Sequence, residues 1–192
     1  SGATGNDHFN CYIPSYHGED IRPVFKETMQ SLIGSCKEPS LMYKFLKKSF
    51  ELVQMWDKWG VNMRPTGDWE CKGHALPGKP RAFLKYDGSE QKKVLVREAK
   101  KLGVKFYNHH PVVELARMDG RIAGALAVDI STPVPQFQPV RAKTVLLATG
   151  LTHRLYITAT TPGYMFNTGH CPNCAGGQGL GWRIGARMVN ME

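Results

Sequence analysis

The chain has 192 residues, 42% of them hydrophobic and 21% charged, which allows one domain with a real core and is ordinary for a globular protein. Twenty-five Lys and Arg against 16 Asp and Glu leave a formal charge of +9, and the basic residues are dispersed at helical spacing (Lys47-Lys48, Lys92-Lys93, Lys100-Lys101) with no reader motif beside them, which argues against a nucleic-acid partner. No run of about 18 apolar residues exists, so no membrane span is expected.

Along the chain, Ser1-Gly2-Ala3-Thr4-Gly5 is a small-residue loop, and Ser1 to Asn10 carry no secretory pattern. Apolar positions Val24, Phe25, Met29, Leu32 and Ile33 predict a helix over 19–34 that ends at Gly34. Ser40 is expected to cap a longer helix with a stripe from Leu41 through Trp56, terminated by Gly60 at the position that favours a left-handed residue. Residues 61–88, rich in Gly, Pro and Trp, read as short strands joined by turns. A third helix is expected from Ser89 to Leu102, stopped by Gly103, and Val104 to Tyr107 read as a short strand.

Pro111 to Arg117 and Arg121 to Ile130 predict two strands joined across Asp119-Gly120, a strong hairpin signal, with Pro133, Pro135 and Pro139 breaking the pattern after them. Lys143 to Leu147 read as a buried strand running into Ala148-Thr149-Gly150. A glycine-spaced helix is expected around 177–186 and a short strand at 187–191. The expected fold is therefore α/β: a helical segment over about 19–60, a β-meander over about 104–141, then a returning strand and glycine-rich helix start over about 143–192.

A buried strand that ends in small residues lets a phosphate or ribose approach the backbone. Taken with "VREAKKLGVKFY", "DGRIAGALAVD", "HRLY" and "GARMVNME", in that order, the chain resembles the flavoprotein subunits of fumarate reductase and succinate dehydrogenase. L-aspartate oxidase and adenylylsulfate reductase are relatives of that family. "NDHFN", "DKWGV" and "PGYMFNTG" look most like the adenylylsulfate reductase α-subunit branch.

The resemblance implies part of a Rossmann-like FAD-binding domain of the glutathione-reductase type, with a meander and a helical insertion. The N-terminal Gly-x-Gly-x-x-Gly element is lacking, and the parent polypeptide is expected to be longer. It implies noncovalent FAD, a small anionic substrate and an iron–sulfur electron-transfer partner. The matched positions are Ser1, Gly2, Ala3, Thr4 and Gly5 near the flavin, Val112 or Val113 on the adenine side, and Ala148, Thr149 and Gly150 at the phosphate and ribose. Gly176 and Gly177 match the turn that opens the last helix. No catalytic residue is assigned, and the piece alone is expected to be inactive. Leu151 stands where the family has a second glycine, and Gly176, Gly177 and Gln178 occupy the place of a Gly-Asp-Gly.

Five cysteines without secretory context favour reduced thiols in a cytoplasmic protein, whether free or at the periphery of a membrane complex. Cys171-Pro172-Asn173-Cys174 is open to two readings, a structural loop or a thiol or metal site; no metal ligand is assigned. His109-His110 reads as a surface pair. Two other functions stay in view: a nucleotide-fold binding module that has lost flavin, and a thiol or metal domain centred on Cys171 and Cys174.

Overall fold

A computed structural model describes residues 7–30, 38–72, 75, 77–150 and 176–188. The chain divides at Val104/Lys105 into two compact units. Ser1–Gly5, Gly34, Cys36, His74, Leu151, the Cys171/Cys174 pair and the end of the expected last strand lie outside the described residues.

The first unit is helical, with a small sheet at its centre. Strand β1 (His8–Asn10) pairs antiparallel with β2 (Phe83–Lys85), in the register His8↔Lys85, Phe9↔Leu84 and Asn10↔Phe83. Cys71 bridges Leu84 from the opposite side, so Leu84 is enclosed by strand-like backbone on both edges. A short helix α1 (Pro14–His17) precedes the expected 19–34 helix, whose described part is α2 (Arg22–Gln30). Glu19 and Asp20 precede α2, and Asp20 accepts from both the backbone N–H and the guanidinium of Arg22.

Helix α3 (Pro39–Trp59) carries the predicted stripe. Its N-cap is Glu38 rather than Ser40: Pro39 takes the first helical position, where its missing N–H costs nothing, and the Glu38 carboxylate accepts from Ser40 N. Gly60 ends the helix with φ +98°, as the glycine predicts. Helix α4 (Gln91–Lys101) starts two residues later than expected. Asp87 caps Ser89 just ahead of it, and Gly103 follows it at φ +78°.

Leu46 and Val53 of α3 are fully buried, one in each of two neighbouring clusters. The Val53 cluster holds Cys11, Ile13, Met63, Cys71, Leu84 and Tyr86, with Trp56, Trp59 and Trp69 packed around it. Ser49, also fully buried, accepts from Tyr12 N and donates to Leu46 O, so a hydroxyl inside the core satisfies a backbone amide.

Burial pushes the Cys11 and Cys71 thiols up to about 12. Both are thus protonated and shielded, which makes them poor nucleophiles and poor ligands. In the native protein at pH 8, iodoacetamide is expected to leave Cys11 and Cys71 unlabelled, with full labelling after unfolding in denaturant. Peptide mass spectrometry reads both, and rapid native labelling of either thiol would contradict their burial.

The second unit is built on the predicted hairpin extended to three strands. Strands β3 (Val112–Met118), β4 (Arg121–Asp129) and β5 (Gln136–Arg141) form an antiparallel sheet in the order β3-β4-β5. Asp119 (φ +50°) and Gly120 (φ +76°) make the two-residue turn between Met118 and Arg121, with both central residues at positive φ as a type I′ turn requires. Strand β5 contains Pro139, which the sequence marks as a breaker. It is tolerated because β5 is, among the described residues, an edge strand bonded on one side only, so alternate N–H groups are not needed by the ladder.

Two expected strands have no ladder. Val104–Tyr107 and Lys143–Leu147 carry no strand pairing among the described residues, and the second is not buried, since Leu146 is 90% and Leu147 40% exposed. A strand exists only with a partner, and local apolar content cannot provide one. The closing helix α5 (Gly176–Arg183) packs against β3 and ends before the expected residue 186; Arg187 and Met188 are not in a strand.

Candidate functional site

The described residues that the resemblance assigns to the cofactor all lie in the second unit. A Cβ added at Gly177 would fall 1.9 Å from Thr149 Oγ1 and 2.8 Å from its Cβ and Cγ2. The Thr149 side chain therefore fills the space that a larger residue at Gly177 would need. One turn further along α5, Gly181 faces Leu147 Cδ1, 3.6 Å from where its Cβ would stand. The segment 147–149 thus lies along the helix, and the turn Ala148-Thr149-Gly150 sits beside the helix start at Gly176–Gly177. These two predicted elements are 26 residues apart in sequence (150 to 176) and adjacent in space.

The turn is exposed, its side chains are small, and Gly150 has φ +82°. The first amide N–H groups of an α-helix have no partner within the helix and carry a partial positive charge, which suits a phosphate or an electron-rich carbonyl. Gln178, the next residue on α5, has its Oε1 buried with no hydrogen-bond partner among the described residues. A buried acceptor left this way is costly unless a donor reaches it. In the sequence Gln178 stands out only as a departure from a family motif. A second such oxygen, Asn10 Oδ1, lies in the first unit, where Asn10 Nδ2 donates to Thr28 Oγ1.

Val112 and Val113 stand apart in role. Val112 pairs with Ala127 and Glu114 with Leu126, so Val113 is the extra residue of a β-bulge, with no counterpart on β4. Its carbonyl lies 3.5 Å from Arg183 Nη1 of α5. Val112 lines a mostly apolar cavity of about 310 Å³ on the sheet, with Tyr107, His110, Val140 and Val145. His110 is half-buried there and is not half of a surface pair. Its Nδ1 bonds Asn108 O at 2.6 Å and its Nε2 lies 3.7 Å from Asp129. His109 beside it is exposed, with φ +59°. Hydrogen bonds from Ser131 and the nearby His110 and His109 hold the Asp129 carboxyl below the usual range.

The described part of this unit carries seven Lys and Arg against three Asp and Glu, an excess that suits a diphosphate. Small side chains at the turn, a helix start against it, an unsatisfied buried acceptor and a bulge together fit a dinucleotide.

Comparison with known families decides the class: the model of the FAD binding domain family matches residues 10–192. The chain belongs to the FAD binding domain family. FAD is its cofactor, and the family is one of FAD-dependent oxidoreductases. No curated protein matches the sequence.

Among solved structures, this FAD-binding domain resembles adenylylsulfate reductase from the hyperthermophilic Archaeoglobus fulgidus, with a TM-score of 0.70 and 20% identity, over 95% of this chain and 29% of that one. An adenosine-5-phosphosulfate reductase in complex with sulfite as a covalent adduct gives the same values. Mycobacterium smegmatis Sdh1 in complex with UQ1 matches with a TM-score of 0.61 and 19% identity, over 94% of this chain and 31% of that one. The FAD-binding domain shares their fold and spans less than a third of their length.

The resemblance to the fumarate reductase and succinate dehydrogenase flavoproteins is thereby supported at the level of family and fold. Among the described residues no helix is long and apolar enough to cross a membrane, and no group of three or more His, Cys, Asp and Glu is placed to hold a metal. Ser1–Gly5 and the Cys171/Cys174 pair lie outside those residues.

Proposed function

We propose that this domain holds FAD noncovalently for a larger oxidoreductase that passes a hydride or electron pair between the flavin and a small anionic substrate. The seating of Thr149 against Gly177 carries the reading, because it brings a small-residue turn and a helix start to one place. Ala148, Thr149 and Gly150 face the ribose and phosphate, and the amides at Gly176 and Gly177 face a phosphate or a flavin carbonyl. The Val113 bulge, with Val112 beside it, takes the adenine side; Ser1–Gly5, outside the described residues, are proposed as flavin contacts on the family resemblance alone. Gln178 Oε1 accepts from a cofactor N–H or O–H.

When bound, FAD supplies the redox chemistry at its ring. The domain's residues bind and orient the cofactor, and none is assigned a step on the substrate. The net charge of +9 supports an anionic substrate. Sulfite, held as an adduct in one similar structure, is the first substrate-class probe, and an iron–sulfur subunit is the proposed electron partner.

The full-length protein is expected to purify yellow or to take up FAD to one equivalent, with a flavin absorbance spectrum. Treatment with acid should release the flavin intact, as a noncovalent cofactor requires. A folded protein that stays colourless and gives no FAD saturation would refute this reading and leave a nucleotide-fold module without flavin.

A further inference from the structure

We infer that Arg117 and Arg183 are positioning residues for the FAD site, a two-way clamp that sets the separation of its two halves. Each arginine reaches from its own element to a main-chain carbonyl of the other. Arg117 of β3 donates from Nη1 to Ile184 O, 3.3 Å away, just past the end of α5. Arg183 of α5 donates from Nη1 to Val113 O at 3.5 Å.

Both acceptors are of the kind that need an outside donor. Ile184 lies beyond the last residue of α5, outside its intrahelical ladder, and the bulged Val113 has no counterpart on β4. Both side chains are exposed, and neither takes part in an ion pair among the described residues, so neither guanidinium is committed to a carboxylate. A planar guanidinium loses less freedom per hydrogen bond than a lysine would, which suits a cross-brace.

The consequence for the cofactor is geometric. Helix α5 has eight residues and so spans about 12 Å. Thr149 is seated at its start and Val113 is held at its end. The helix is therefore a spacer between the turn assigned to the ribose and phosphate and the bulge assigned to the adenine. With the spacer locked on β3, a dinucleotide engages both ends as one ligand, and the second contact is made at high effective concentration. With the spacer loose, each end keeps its own contacts but their separation is no longer set. This inference rests on the proposed FAD site.

The test compares the whole cofactor with its halves on the full-length protein. FAD and FMN are titrated by flavin fluorescence and ADP by calorimetry, for wild type, R117A, R183A, the double variant and R117K. R117A is expected to raise the FAD Kd about five- to tenfold and the double variant more, the loss of charge-assisted hydrogen bonds. The Kd for ADP, whose adenine, ribose and phosphates reach both ends of the spacer, should rise with that of FAD, whereas the Kd for FMN, which lacks the adenine, should stay within about twofold. R117K, with charge but no fork, should recover only part of the FAD affinity.

An unchanged FAD Kd in the double variant would overturn the clamp. So would parallel losses for FAD, ADP and FMN, which would mean direct contact or general loss of structure. A wild-type protein that binds no FAD would instead overturn the cofactor site itself, a result visible before any variant is made.

Discussion

Gly177→Ala is expected to weaken FAD binding by at least about tenfold in the full-length protein, the cost of displacing one wall of a preorganised site. Its Cβ would stand 1.9 Å from Thr149 Oγ1, and the nearest alternatives, Thr149 Cβ and Cγ2, are only 2.8 Å away. No rotation of the threonine clears all three atoms, so the turn 148–150 has to move off the helix. The change is otherwise favourable, since alanine in a helix is worth about 0.5–1 kcal/mol over glycine. A loss of affinity would therefore come from the clash and not from the helix.

Two further variants isolate the cause. Gly179→Ala meets nothing within 4 Å and should leave the FAD Kd unchanged. Gly177→Ala combined with Thr149→Gly removes the three clashing atoms and should recover part of the affinity, giving a coupling between the two sites. Flavin fluorescence titration measures all of them. Equal Kd values for Gly177→Ala and wild type would remove the turn and helix start from the cofactor site.

Gly124→Ala is expected to destabilise the unit from Lys105 onward by about 3 kcal/mol or more, because two separate penalties coincide. Gly124 lies in the central strand β4, opposite Ala116 on one side and Arg141 on the other, at φ +152°. That conformation strains any residue with a side chain. The added Cβ would also fall 2.0 Å from Val140 O and 3.0 Å from Arg141 Cα, both backbone atoms of β5 that cannot swing aside.

Gly120 offers the contrast: its φ is +76° in the hairpin turn, but nothing stands within 4 Å of the added Cβ. Gly120→Ala should therefore cost only about 1–2 kcal/mol, the left-handed penalty by itself. Denaturant unfolding followed by hydrogen exchange over 112–141 would rank the two. A Gly124→Ala protein as stable as wild type would mean that β5 does not approach β4 as closely as described. Because β3 of the same sheet carries Val112 and Val113, the Gly124 variant should also lose FAD affinity, whereas Gly120→Ala should largely keep it.

Much of the architecture was legible because it depends on neighbours in sequence. The stripe of α3 and its stop at Gly60, the stop of α4 at Gly103 and the Asp119-Gly120 turn each follow from a few adjacent residues whose backbone preferences agree. The family was legible for a related reason: short blocks in a set order, none decisive alone, are specific together. Even at this level a boundary shifted, for a local reason, when Pro39 moved the cap of α3 from Ser40 to Glu38.

What only the tertiary structure decided involves partners far apart in the chain. An apolar run such as Lys143–Leu147 looks like a strand whether or not anything pairs with it, and Pro139 looks like a breaker until β5 is known to be an edge. The bulge at Val113 is a matter of register, which no single strand encodes. The same holds for the site. Thr149 and Gly177 are legible in sequence as members of two separate small-residue turns, and their contact, like the reach of Arg117 and Arg183 across the seam of α5 and β3, exists because close packing joins segments that sequence periodicity treats as independent.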